Sequence, residues 1–347
     1  MSNEVTRGTN QTTKRLQWLD IMKGILIFFV ILSHSYPDPV SERFFTPFFL
    51  TMFFWVGGYT FSLKDSFKTF IISKLRHLVI PLFILGGMRI VILCVLTGFG
   101  ELPDRILGLF LQRDCIYDEM WFLSCLFMAE LLLYVLIRTF KGIKKKEIMF
   151  ALLLLAGLLL LILGYIIIEF VGVKIIWELE LALLMVFYSA CGYVWRKSGE
   201  KTGILLKMPI VLVCLAAYIA LWILVPNDVN IHAEKLGNFL LFFLESLLIM
   251  PVLFFACMKL ERNIVGKGLS VLGVNSLFFF AFGGFGREIF YRVTDTVGLG
   301  RSAWMAYACT VFTFALMIGP AILFRKWFPF AVGVIRNKKS DSKDNAK

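Results

Sequence analysis

Charge is scarce in this sequence. Only 17% of the 347 residues are charged while 59% are hydrophobic, and the mean hydropathy is +0.80. A soluble domain is about one quarter charged, so water is not the main solvent of this chain. Histidine is scarcer still, with three in all. The seven cysteines show no C-x-x-C or His-paired spacing, which excludes a zinc-finger or thioredoxin-type reading; most lie in apolar runs, as small free hydrophobes would. Gly-rich phosphate loops, zinc-ligand spacings and Ser-centred nucleophile elbows are absent too, so no metal site is expected.

What the chain has instead is long apolar runs. They fall at approximately 20 to 36, 44 to 62, 78 to 98, 119 to 138, 148 to 171, 175 to 195, 204 to 225, 237 to 258, 270 to 287 and 303 to 327. At about 20 apolar residues per span, these predict an all-α, polytopic membrane protein of about ten transmembrane helices, with no room for a separate soluble domain. Pro47, Gly57 and Gly58 bend or thin the second span, which neighbouring helices tolerate inside a bilayer. The first run is expected to be a retained helix rather than a cleaved signal peptide, because Asp20 and Lys23 interrupt it and no small-residue cleavage site follows Ser35. Residues 1 to 14 are expected as a cytoplasmic tail, 15 to 330 as the membrane domain and 331 to 347 as a disordered cytoplasmic tail.

The net charge of +12 raises the possibility of nucleic acid, but the cations sit in short clusters between apolar runs rather than along one amphipathic face. Topology explains them. Numbered along the ten spans, 26 of the 36 Lys and Arg fall in alternate connections and the two tails; eight fall on the other side, and Lys23 and Arg89 lie within spans. Loops kept in the cytoplasm carry the positive excess, so both termini are expected there, in a membrane of the bacterial inner or plasma membrane type. No inverted repeat or matching pair of broken helices is apparent, which weighs against a secondary transporter.

Ionisable groups inside a bilayer are expensive, about 2.5 to 3.5 kcal/mol each at the centre on insertion scales, and therefore mark function. The first span carries three. Lys23 and His34 are 11 positions apart, within about 20° of three full helical turns and roughly 16 Å along the axis, so they share one face at two depths. Asp20 is placed to pair with Lys23 across one turn. His34 suits a general base that takes a proton from a hydroxyl as it attacks an activated carbonyl; a span-end His meeting interfacial water would look the same.

The residues around them resemble a known family. Arg15-Leu16-Gln17-Trp18-Leu19-Asp20-Ile21-Met22-Lys23-Gly24, followed by Leu32-Ser33-His34-Ser35, resembles the opening signature of the acyltransferase 3 family. Met52 to Tyr59, Lys74-Leu75-Arg76-His77 up to Ile80-Pro81, Trp121-Phe122-Leu123, Gly192-Tyr193 with Arg196, and Leu272-Gly273 with Asn275-Ser276-Leu277 resemble its later patches, in order. The resemblance implies a membrane O-acyltransferase that acetylates extracytoplasmic sugars or polysaccharides, with acetyl-CoA as donor and no bound cofactor. It implies that His34 is catalytic, that Lys23 assists it or the donor, and that Arg15, Lys74 and Arg76 attract the CoA phosphates, as Arg in particular can. Ser33 stands where Gly often precedes the His, Gly57 where Ser is usual, and Gly283 where many relatives carry a second His.

Glu101, Asp104, Asp114, Asp118 and Glu119, with Arg113, Tyr117 and Trp121, make the connection before the fourth span either a sugar-binding mouth or an acidic interfacial loop. Glu119, Trp121 and Tyr59 are the candidates for the acceptor side. Arg89 is expected to pair with one of Glu130, Glu178, Glu180 or Glu245 inside the bundle, and His232 to be a solvated bystander. Two rival readings stand: a proton-coupled transporter using Asp20, Lys23 and His34 as a relay, and a family member without activity.

Overall fold

The computed structural model describes residues 16–63, 66–112, 120–299 and 302–334. Regular structure among them is helical, apart from one isolated bridge between Asn230 and Lys235. The helices are α1 (Gln17–Ser33), α2 (Pro39–Phe45), α3 (Phe49–Thr60), α4 (Phe67–Lys74), α5 (Ile80–Thr97), α6 (Leu102–Leu111) and α7 (Trp121–Phe140), then α8 (Lys146–Ile166), α9 (Leu179–Ser198), α10 (Met208–Leu224), α11 (Phe239–Leu260), α12 (Ile264–Val274), α13 (Ser276–Thr296) and α14 (Ala303–Trp327). The two expected tails lie largely outside the described residues.

Each of the ten apolar runs contains a helix, but six helices are long and apolar enough to cross a bilayer. One is the 31-residue rod Phe67–Thr97, in which α4 and α5 are joined by the π-helical turn Leu75–Val79. A seventh crossing results if α12 and α13, bent by 85° at Asn275, count as one broken span. The other runs hold shorter helices: α1 and α10 have 17 residues and α3 has 12. Hydropathy detects apolar runs, whereas the length of each helix depends on where glycines and prolines end it.

Glycines bring the central helices together. A Cβ on Gly24 would sit 2.0 Å from the main-chain O of Leu269, and one on Gly273 1.8 Å from that of Asp20, so α1 and α12 touch backbone to backbone. The same holds for α3 and α9, where a Cβ on Gly58 would meet Ser189 O at 1.8 Å and one on Gly192 Trp55 O at 2.0 Å. Close approach through small residues is how helices associate where the surroundings are as apolar as their side chains. Ser189 adds a hydrogen bond from Oγ to Phe54 O at 3.1 Å. The Gly-Tyr patches near residues 58 and 192 are thus two halves of one helix contact.

The α12–α13 bend is held from two sides. Asn275 Nδ2 donates to Val271 O at 2.8 Å, and Arg325 of α14 donates to Val274 O at 2.6 Å, a cation on the last carbonyls of α12. The bend directs the N-terminal residues Ser276 and Leu277 of α13 toward a cavity beside Lys23.

Candidate functional site

Helix α1 is the spine of the site. Near its first turn the Lys23 ammonium lies 3.3 Å from Asp20 Oδ1, with Asp20 buried and Lys23 about one third exposed. At its other end, His34 caps the helix and the chain turns through Tyr36, whose φ is 57°. Helix α13 fixes this turn. Arg287 Nη1 donates to His34 O at 3.0 Å, and the Tyr291 hydroxyl donates to Ser35 O at 2.7 Å. The His34 backbone is therefore anchored while its side chain stays exposed.

A cavity of about 290 Å³ opens at the His34 end. Its lining includes His34, Glu42, Trp121, His232, Gly283 and Arg287, a mixture of two imidazoles, a carboxylate, a guanidinium and an aromatic face. Helix α2 presents Glu42: Asp38 caps its first turn by accepting from Ser41 N at 3.0 Å. That contact and the Ser41 hydroxyl hold the Asp38 carboxyl below its ordinary value. Burial, with the Asp228 carboxylate adding repulsion, raises the Glu42 carboxyl above its own. His232 rides on a compact loop whose Asn227 and Asn238 exchange hydrogen bonds and whose Val229, Ile231 and Leu236 are buried. Its ring stacks on Trp121, with centroids 4.8 Å apart and 21° between planes.

A second cavity, of about 480 Å³, opens beside Lys23. Lys74 and His77 from the rod and Glu130 from α7 line it, together with Thr60, Ser73 and Ser276. Lys74 Nζ lies 2.7 Å from the buried Glu130 Oε2. His77 belongs to the π-helical turn, and its Nδ1 is 2.6 Å from Ser73 O. Such turns shift the register of a helix by one residue and recur at functional sites.

The two cavities meet end to end along α1. Lys23 and Ile27 line one, Val30, Ile31 and His34 the other, at the spacing of one helical face. Phe280 of α13 belongs to both linings, and with Phe53 and Phe122 it forms an aromatic partition, each successive pair of rings 5.4 Å apart.

Several sequence expectations change here. Trp121 lines the His34 cavity; Tyr59, named with it from the sequence, does not. It lies at the other end, packed edge-on against Trp18 at 4.9 Å and stacked on Trp55, because α3 runs antiparallel to α1 and carries its C-terminus to the Lys23 end. Arg76 is exposed and absent from the cavity lining, whereas its neighbour His77 is part of it. Lys74 faces the cavity already paired with Glu130. Arg15 and Glu119 lie outside the described residues.

Arg89 of α5 reaches the main chain of α13. It donates to Ala281 O at 3.1 Å, since its side of α5 meets α13, and Glu130 meets Lys74 instead. His232 is no solvated bystander but part of the His34 cavity. No motif marked it, because the cavity wall is completed by a loop remote in sequence; only the buried apolar residues of that loop hint at its packing. Gly283 lines the same cavity, and a Cβ there would meet Ile31 Cδ1 at 2.2 Å, so the Ile31 side chain fills the space a larger residue would claim.

Comparison with known proteins finds one family. No curated protein and no solved structure matches the chain. A family model described as an acyltransferase domain matches residues 16–326, nearly the whole chain, from the start of α1 to the last turn of α14. The helical membrane architecture, the Lys23 and His34 cavities on one helix and this match together make the chain a member of the acyltransferase 3 family.

Proposed function

We propose that this acyltransferase moves an acetyl group from cytoplasmic acetyl-CoA to a hydroxyl of a cell-envelope sugar or polysaccharide. The observation that carries the proposal is the pair of cavities on α1, one with cations and hydroxyls around Lys23, the other with His34, with Phe280 common to both linings. The Lys23 cavity has room for a slender acyl-pantetheine arm, while the CoA phosphates stay at its mouth near the exposed Arg76; Arg15, next in sequence to the first residue described, is a further candidate for them. Lys23, held by Asp20, offers positive charge to the donor arm inside its cavity, and the N-terminus of α13 adds its dipole.

His34 acts as general base from the other side. It takes the proton of the acceptor hydroxyl as oxygen attacks the thioester carbon; the thiolate of CoA departs and is protonated, and the acetyl ester remains on the sugar. Trp121 offers an apolar face to a sugar ring, with His232 and Glu42 able to hydrogen-bond its remaining hydroxyls. The charge asymmetry of the connections supports cytoplasmic termini and a donor side at Lys23.

The test is acetyl transfer to envelope glycan, followed by mass spectrometry in cells that express the wild type or His34→Ala at equal levels. The acetyl increment is expected to vanish in the variant. Undiminished acetylation would overturn the role of His34, and membranes that transfer no label from acetyl-CoA yet show pH-coupled solute flux would favour the transporter.

A further inference from the structure

At the start of α9, three carboxylates converge that the acyl-transfer reading does not use. One oxygen from each of Glu178, Glu180 and Glu234 lies within 4.8 Å of the other two. Glu178 is 3% exposed and Glu180 fully buried; Glu234 reaches them from the loop that carries His232. Glu180 Oε2 accepts from the Ile175 amide at 3.0 Å, but among the described residues the buried Glu180 Oε1 and Glu234 Oε1 meet no hydrogen-bond donor. Two desolvated carboxylate oxygens from separate segments, both lacking a donor, call for a ligand. Among the described residues, the Lys174 ammonium acts on Glu178 and leaves the three carboxyl groups only partly compensated.

A bound cation would supply the positive charge that this cluster of acidic groups lacks. Carboxylate oxygens are hard ligands and select calcium or magnesium over zinc or copper. Calcium binds oxygen at about 2.3 to 2.6 Å, so opposite ligands sit about 4.6 to 5.2 Å apart, and oxygens within 4.8 Å of one another can surround the ion as they stand. Magnesium demands a tighter octahedron, about 2.0 to 2.1 Å from each ligand. We propose that Glu178, Glu180 and Glu234 form a calcium-type cation site that fastens the His232 loop to α9. The ligands come from positions 178, 180 and 234, a spacing that no sequence motif for a metal would display. The inference does not depend on the acyl donor or acceptor.

Trp177 precedes the first ligand and is a natural sensitiser for terbium, a luminescent calcium mimic. The test uses the full chain in detergent, stripped with chelator at pH 7. Excitation of tryptophan is expected to give terbium emission that calcium displaces at lower concentration than magnesium, and saturating calcium is expected to raise Tm by about 5 °C. Glu234→Gln, a loop change compatible with folding, should lose both effects. Wild-type protein with no terbium emission and no calcium-dependent Tm would overturn the site and leave protons as the neutralising charge. An unchanged response in Glu234→Gln would overturn this ligand set.

Discussion

Gly192→Ala isolates the helix contact on which the Lys23 cavity is built. The added methyl would lie 2.0 Å from Trp55 O, 2.8 Å from Tyr59 N and 2.9 Å from Trp55 C, against 3.4 Å or more for an ordinary contact. Helix α3 must therefore retreat from α9 by about 1.4 Å, and what must move is main chain rather than the tip of a side chain. Trp55 is fully buried among Trp18, Tyr59, Trp195 and Phe254, so the retreat loosens that whole cluster. Overpacking costs roughly 1 to 3 kcal/mol, and an immovable backbone puts this case near 3. Alanine returns about 1 kcal/mol of helix propensity. The net loss of about 2 kcal/mol lowers Tm by roughly 4 °C in thermal unfolding in detergent. Gly87→Ala in α5 is the control: its methyl meets nothing within 4 Å, so it should be neutral or stabilise by up to about 1 kcal/mol. A Gly192→Ala protein that melts at or above Gly87→Ala would refute the close-contact reading of the Gly-Tyr patches. Because α3 also supplies Phe53, Gly57 and Thr60 to the Lys23 cavity, acetyl-CoA affinity should fall with Tm.

Other perturbations probe the two cavities. Glu130→Ala leaves Lys74, 19% exposed, without its carboxylate and should destabilise by about 3 to 5 kcal/mol in thermal or denaturant unfolding. Adding Lys74→Met should recover most of that loss; no recovery would refute the pairing. Phe280→Ala removes the partition and should raise acceptor-independent hydrolysis of acetyl-CoA, as water gains access to the thioester; hydrolysis equal to wild type would show that other residues seal the junction. Glu42 has a raised folded-state pKa, so its burial opposes folding once pH climbs past the ordinary carboxyl value and costs nothing below it. Glu42→Gln should therefore gain Tm over wild type from pH 5 to 8 and match it near pH 4.

Composition and hydropathy alone determined that this chain is helical and belongs in a bilayer, because backbone groups in lipid can be satisfied only within helices or closed barrels. The spacing of Lys23 and His34 also placed them on one face of one helix, since helical geometry is local. The tertiary structure decided everything that depends on where other elements meet that face. Antiparallel packing carried Tyr59 away from the His34 end, the π-helical turn brought His77 rather than Arg76 to the Lys23 cavity, and a loop some 200 residues downstream of α1 put His232 opposite His34. Charge pairing was likewise unreadable in advance: Arg89 and Lys74 are both cations near apolar runs, and only the direction each side of the long rod faces gave Glu130 to Lys74. Sequence fixes what a segment can do by itself; contacts between segments far apart in the chain choose among those possibilities, and the walls of both cavities are made of such contacts.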